Sequence, residues 1–173
     1  MNSDLFNKIN GYLEGLSTIN TYFGNCYGHK YIFAEIVQPI EQAVTYYNKT
    51  GNLSRHHDIK YLPLVVVDDW KDSLFQRSAD WFFSLYRMQN FQVEIGYHDG
   101  EGNELPLQPA EYDKSMNFVS NKLIELLEQF FEGRDVEVFL MNTHVEEKDE
   151  FDWEQFYFTV DNRVFVLEFY QWG

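Results

Sequence analysis

Trp153-Glu154-Gln155-Phe156-Tyr157-Phe158-Thr159-Val160-Asp161-Asn162-Arg163-Val164-Phe165-Val166-Leu167-Glu168-Phe169-Tyr170 closes the chain. Two runs rich in aromatic and β-branched residues, Phe156 to Val160 and Val164 to Phe169, flank Asp161-Asn162, a pair that tolerates turn conformations. This predicts a β-hairpin, hence antiparallel pairing. Upstream, Val136 to Met141 reads as a strand, and Asn142 to Asp152 as a polar loop. Before that strand, Tyr112, Met116, Val119, Leu123, Leu126, Leu127, Phe130 and Phe131 form one apolar stripe. Their spacing predicts a helix over 111–132, with Gly133 available just past its end.

Further towards the N-terminus, Leu5, Ile9, Tyr12, Leu13 and Leu16 recur at helical spacing behind Ser3, and Gly15 is a candidate stop. Asn20 to His29 reads as a loop. Tyr31 to Val37 and Ala43 to Tyr47 alternate in a β-rich manner around Pro39, which predicts another hairpin. Leu64 to Val67 reads as a short buried strand. Asp68 and Asp69 then cap a helix towards Met88, whose apolar side carries Trp70, Leu74, Trp81, Phe82 and Leu85. Phe91 to Tyr97 and Leu105 to Leu107 suggest one more hairpin around Gly100 and Gly102. Helices alternating with hairpins predict an α+β domain: a single domain, mainly antiparallel sheet, with about three helices packed on one face. The helix-hairpin segment at about 64–108 reads as an insertion into that domain.

The chain of 173 residues is 45 % hydrophobic, 24 % charged and 18 % aromatic, the balance of a folded protein rather than an acidic tail. Thirteen basic against 28 acidic residues give a net charge of −15. Direct nucleic-acid binding is disfavoured, because phosphate contacts need clustered Lys and Arg. An anionic membrane would be repelled as well. No apolar run reaches the roughly 20 residues that cross a bilayer. The N-terminus lacks a signal-peptide pattern, and lone Cys26 allows no internal disulfide, so a cytoplasmic location is expected.

Position sharpens the charge. Met1 to Pro63 holds Lys8, Lys30, Lys49, Arg55 and Lys60 against Asp4, Glu14, Glu35, Glu41 and Asp58, which cancel. The whole −15 therefore belongs to Leu64 to Gly173, with eight basic and 23 acidic residues. Its densest stretch holds Glu146, Glu147, Asp149, Glu150, Asp152 and Glu154 with one Lys148, net −5 over nine positions, beside Phe151 and Trp153. Such a run is either a solvated loop or a contact surface for a basic protein, with Trp153 as an anchor.

Sites for chemistry are weak. His56-His57-Asp58 offers metal-like donors but no second spaced pair closes a site. Cys26 with His29 lacks an orienting third group, and His98-Asp99 and His144 read as surface residues. No Walker loop, dinucleotide fingerprint, nucleophile elbow or His-Glu-x-x-His occurs. The sequence thus predicts no catalytic residues, no metal and no cofactor.

The N-terminal helix, the segment from Tyr31-Ile32-Phe33-Ala34-Glu35 to Val44-Thr45-Tyr46-Tyr47-Asn48-Lys49, Leu126-Leu127-Glu128-Gln129-Phe130-Phe131, and the closing hairpin resemble YezG-type immunity proteins. These are small acidic α+β antitoxins that neutralise a cognate nuclease toxin. The resemblance implies a basic toxin domain as partner, with no catalysis by this chain. Leu64 to Gln108 departs from the family pattern. Two other readings are a nucleic-acid mimic occupying a DNA-binding protein's basic groove, and an enzyme gathering Cys26, His29 or His56 with carboxylates.

Overall fold

The closing hairpin is the centre of the fold. In the computed structural model, which describes residues 2–23, 28–51, 64–82, 109–141 and 151–173, the elements run α1 (Ser3–Phe23), β1 (Gly28–Ile36), α2 (Ile40–Thr50), β2 (Leu64–Val66), α3 (Trp70–Phe82), α4 (Pro109–Phe131), β3 (Glu137–Met141), β4 (Phe151–Val160) and β5 (Arg163–Trp172). The five strands form one antiparallel sheet in the order β1-β5-β4-β3-β2. The architecture is α+β, with four helices among the described residues.

Asp161 and Asn162 turn the hairpin with φ of 49° and 59°. Both central residues at positive φ match the twist of a two-residue hairpin, and Asp and Asn bear that backbone better than most side chains. β5 lies between β1 and β4, and every residue from Val164 to Tyr170 is buried. Its near-continuous apolar run therefore reflects cover on both faces of the sheet.

The first face carries α1, α3 and α4. Ile9, Leu13, Leu74, Leu123, Leu127 and Phe130 from these helices meet Phe33, Phe156, Phe158, Phe165, Leu167 and Phe169 from the strands. Polar bonds tie the three helices together. Tyr12 Oη donates to Val119 O at 2.9 Å, Asn20 Nδ2 to Trp81 O at 2.8 Å, and Ser78 Oγ to Ser120 Oγ at 2.8 Å. Burial pushes the Tyr12 phenol up to about 12. α4 ends through two left-handed residues, Glu132 at φ 54° and Gly133 at φ 69°, so the glycine does sit at the helix exit.

The second face overturns one expectation. Ile40 to Thr50 is a helix, not the second strand of a hairpin, and the helices therefore lie on both faces. The β-prone Val44-Thr45-Tyr46-Tyr47 conceals a helical stripe of Ile40, Ala43, Val44 and Tyr47, which packs beside Trp153, Tyr157, Val166 and Tyr170. Burying that aromatic sheet face outweighs local β preference. Pro39 precedes the helix, where a missing N–H costs nothing.

Other boundaries move. α1 runs past Gly15 to Phe23, so part of the expected loop is helical. β4 starts at Phe151, five residues before the expected position. Among the described residues, β2 is an exposed edge strand rather than a buried one, with Val65 and Val66 50 % and 55 % exposed. Asp69 caps α3 as expected, its Oδ1 accepting from Asp72 N at 3.1 Å. The predicted hairpin over 91–107 falls outside the described residues, as do 83–88 of the helix predicted towards Met88.

Gly28 pairs with Trp172, whose ring lies where a Cβ at residue 28 would stand. Trp172 also stacks on Tyr170, with ring centroids 5.5 Å apart. The small residue lets this ring fold across the end of the sheet.

Candidate partner-binding surface

The charge surplus becomes a surface once the cations are located. Lys71 is held by Glu128, Arg77 by Glu154, and Lys122 by Glu125 at 2.8 Å. Arg134 reaches Glu132 at 3.3 Å and Asp161 at 3.2 Å, and Arg163 forks onto Glu35 at 2.7 and 2.8 Å. That guanidinium holds the Glu35 carboxyl below the usual carboxylate range. Every cationic side chain described after residue 63 is thus matched to a carboxylate. Asp68, Asp69, Asp72, Asp135, Glu137 and Asp152 stand exposed beside them. Exposed pairs of this kind add little stability, but they remove positive charge from the field a partner meets.

Of the sequence-predicted contact residues, Glu146, Glu147, Asp149 and Glu150 lie outside the described residues. The rest fall on β4, where alternation separates them. Asp152 is exposed. Glu154, on the same face, accepts from Arg77 and from Trp81 Nε1 at 2.9 Å, so it fastens α3 to the sheet. Trp153 points to the opposite face and is only 8 % exposed, packed in the layer beneath α2. The ring expected beside the acids as an anchor therefore belongs to the core of the free chain. The early start of β4 explains this, because a loop would not have enforced alternation.

Two polar groupings were not read from the sequence. The first surrounds Tyr31, whose hydroxyl donates to Trp81 O at 2.7 Å, accepts from Asn20 Nδ2 at 2.8 Å, and lies 3.3 Å from His29 Nδ1. With the hydroxyl hydrogen already given to Trp81, satisfaction of His29 places its proton on Nδ1. Burial lowers the His29 pKa from 6.5 and raises that of Tyr31. Cys26, His56, His57, Asp58, His98, Asp99 and His144 all lie outside the described residues.

The second grouping lies under α2. Gln155 Nε2 donates to Asn48 Oδ1 at 2.7 Å and to Glu168 Oε2 at 2.6 Å, while Tyr157 Oη donates to Gln155 Oε1 at 2.7 Å. Asn48, Gln155, Tyr157 and Glu168 are all 0 % exposed. Burial, then the charge of Glu168 and a hydrogen bond to it, raise the pKa of Tyr47. The signal was available, since Glu168 is the one acid in the run Val164 to Tyr170 and pairs directly with Gln155.

A cleft of about 420 Å³ opens at the sheet end, lined by Glu41, Asp135, Glu137, Asp161 and Arg163 among others. Among the described residues, no three His, Cys, Asp or Glu side chains converge to hold a metal ion. No described helix is long and apolar enough to cross a membrane.

His29 gives this region a pH signature. Its folded pKa is lowered, so the unfolded chain takes up the proton first as pH falls. Stability from this group is complete above 6.5 and is lost on acidification through the lowered folded value. Urea titrations at several pH values should show a shallower acid slope for His29→Gln than for the parent; parallel slopes would contradict the assignment.

Compared with known proteins, the chain matches no family model, no curated protein and no solved structure.

Proposed function

We propose that the chain is a cytoplasmic immunity protein that binds a basic nuclease toxin domain and neutralises it without catalysis of its own. The observation that carries this reading is the pairing of every described cation after residue 63, which leaves an anionic surface over a large aromatic core. Such a surface attracts a basic protein and disfavours wrong partners. Glu146, Glu147, Asp149, Glu150, Asp152 and Glu154 steer the encounter, and exposed Asp68, Asp69 and Asp72 extend the field. Glu154 acts in place, held by Arg77 and Trp81, and Trp153 supports the strand from behind.

The resemblance to YezG-type proteins supplies the class of partner, and the acid-rich composition agrees with it. The test is a pull-down from cells carrying the neighbouring genes, followed by titration of the captured protein's activity. Stoichiometric inhibition by the purified chain is expected. Capture of a basic protein whose activity is unaffected would reject neutralisation, as would turnover of any substrate by the chain alone.

A further inference from the structure

The two edges of the sheet are finished differently. On β1, Asn10 Nδ2 donates to Phe33 O at 2.8 Å, and Phe33 N donates to Asn10 Oδ1 at 3.0 Å. Thr21 treats His29 in the same way, accepting from its N–H at 2.9 Å. α1 thus occupies the positions where another strand would pair.

Among the described residues, β2 ends the sheet on the other side. Val67 N donates to Val138 O at 2.8 Å, one step past the register Val66↔Phe139. Antiparallel alternation makes Val65 and Leu140 the next bonded pair, and it turns the N–H and C=O of Leu64 and Val66 away from β3. Edge strands are commonly blunted by charge, proline or a covering helix. β2 is short, at three residues, and its exposed side chains are the two β-branched residues Val65 and Val66 rather than charges or proline.

We infer that the β2 edge is a docking strand for a basic, extended segment of the partner protein, which pairs through the backbone at Leu64 and Val66. This rests on reading the chain as a binder of a basic protein, and it places the contact. Charge selects the occupant. Exposed Asp68, Asp69 and Asp72 follow β2 directly, and Lys71 among them is held by Glu128. A second copy, itself of net charge −15, would be repelled. A strand carrying Lys or Arg gains main-chain hydrogen bonds from β2 and attraction from the carboxylates.

The probe is an alternating lysine–valine heptapeptide added to the full chain, with an alternating glutamate–valine peptide as control. Amide NMR shifts should centre on Leu64 and Val66 for the lysine peptide alone. Val66→Pro removes an outward N–H without touching the bonds to β3, so the melting temperature should hold while peptide affinity falls about tenfold or more. Val65→Pro, which breaks the ladder, should instead lower the melting temperature. Peptide binding that is absent, maps elsewhere or survives Val66→Pro would overturn the proposal, as would dimerisation of the free chain through β2. If a captured partner binds Val66→Pro normally yet loses affinity on acid reversal, edge docking falls and the binder reading stands. Indifference to both changes removes both.

Discussion

Glu168→Ala is expected to destabilise the chain by about 3 kcal/mol or more, a large part of the roughly 5–15 kcal/mol that holds a typical domain together. Glu168 is 0 % exposed and accepts from Gln155 Nε2 at 2.6 Å, and it bonds the Tyr47 hydroxyl on α2. Truncation leaves both donors in a site lined by Met141, Trp153, Tyr157 and Tyr170, where water does not replace the lost acceptor. The effect should be non-additive. Pairing Glu168→Leu with Gln155→Leu removes both polar groups, so the double variant should be less damaged than the sum of the single ones. Denaturant titration across that cycle measures the coupling, and a Glu168→Ala chain within 1 kcal/mol of the parent would refute the buried network.

A second loss of similar size is expected at Phe165. Its ring stacks on Phe33 at 5.5 Å and 14°, and meets Phe130 edge-on at 5.2 Å and Phe131 at 6.0 Å. The Arg163 guanidinium lies 5.1 Å from the ring centroid. Phe165 is 0 % exposed, at the junction of β5 with β1 and α4. Phe165→Ala opens a cavity that neighbours in two strands and a helix close only in part, at a cost of about 3–5 kcal/mol. Phe165→Leu, which keeps most of the volume, should recover much of it. Equal melting temperatures for the alanine and leucine variants would show that the aromatic cluster does not depend on this ring.

The parts of the fold that were legible are those whose local chemistry and burial agree. Asp161-Asn162 takes positive φ readily, and α4 has both its apolar stripe from Val119 to Phe131 and Gly133 at its exit. The misread part is α2, where local chemistry and burial conflict. Val44, Thr45, Tyr46 and Tyr47 each favour strands singly, and the helix appears only when Ile40, Ala43, Val44 and Tyr47 are taken as the cover for an aromatic sheet face. That face was invisible without the strand register, because it is built from every second residue of β4 and β5. The same alternation governs the acidic segment. Asp152, Trp153 and Glu154 look like one patch in the sequence, yet the strand sends Trp153 inward and the acids to the other side. The buried Glu168 was legible in principle, since a lone carboxylate inside Val164 to Tyr170 has to be either exposed or bonded.

Neutralisation of the cations within the chain's own surface leads to a kinetic expectation. Carboxylates that steer a basic partner act at long range, so they set the association rate and its sensitivity to salt more than the lifetime of the complex. The decisive measurement is the stopped-flow association rate of the captured basic partner at several salt concentrations. It compares the parent with a chain in which Glu146, Glu147, Asp149 and Glu150 are reversed to Lys. The account predicts that reversal slows association by about tenfold or more at low salt and flattens the salt dependence. Equal rates and equal salt slopes for the two chains would contradict it.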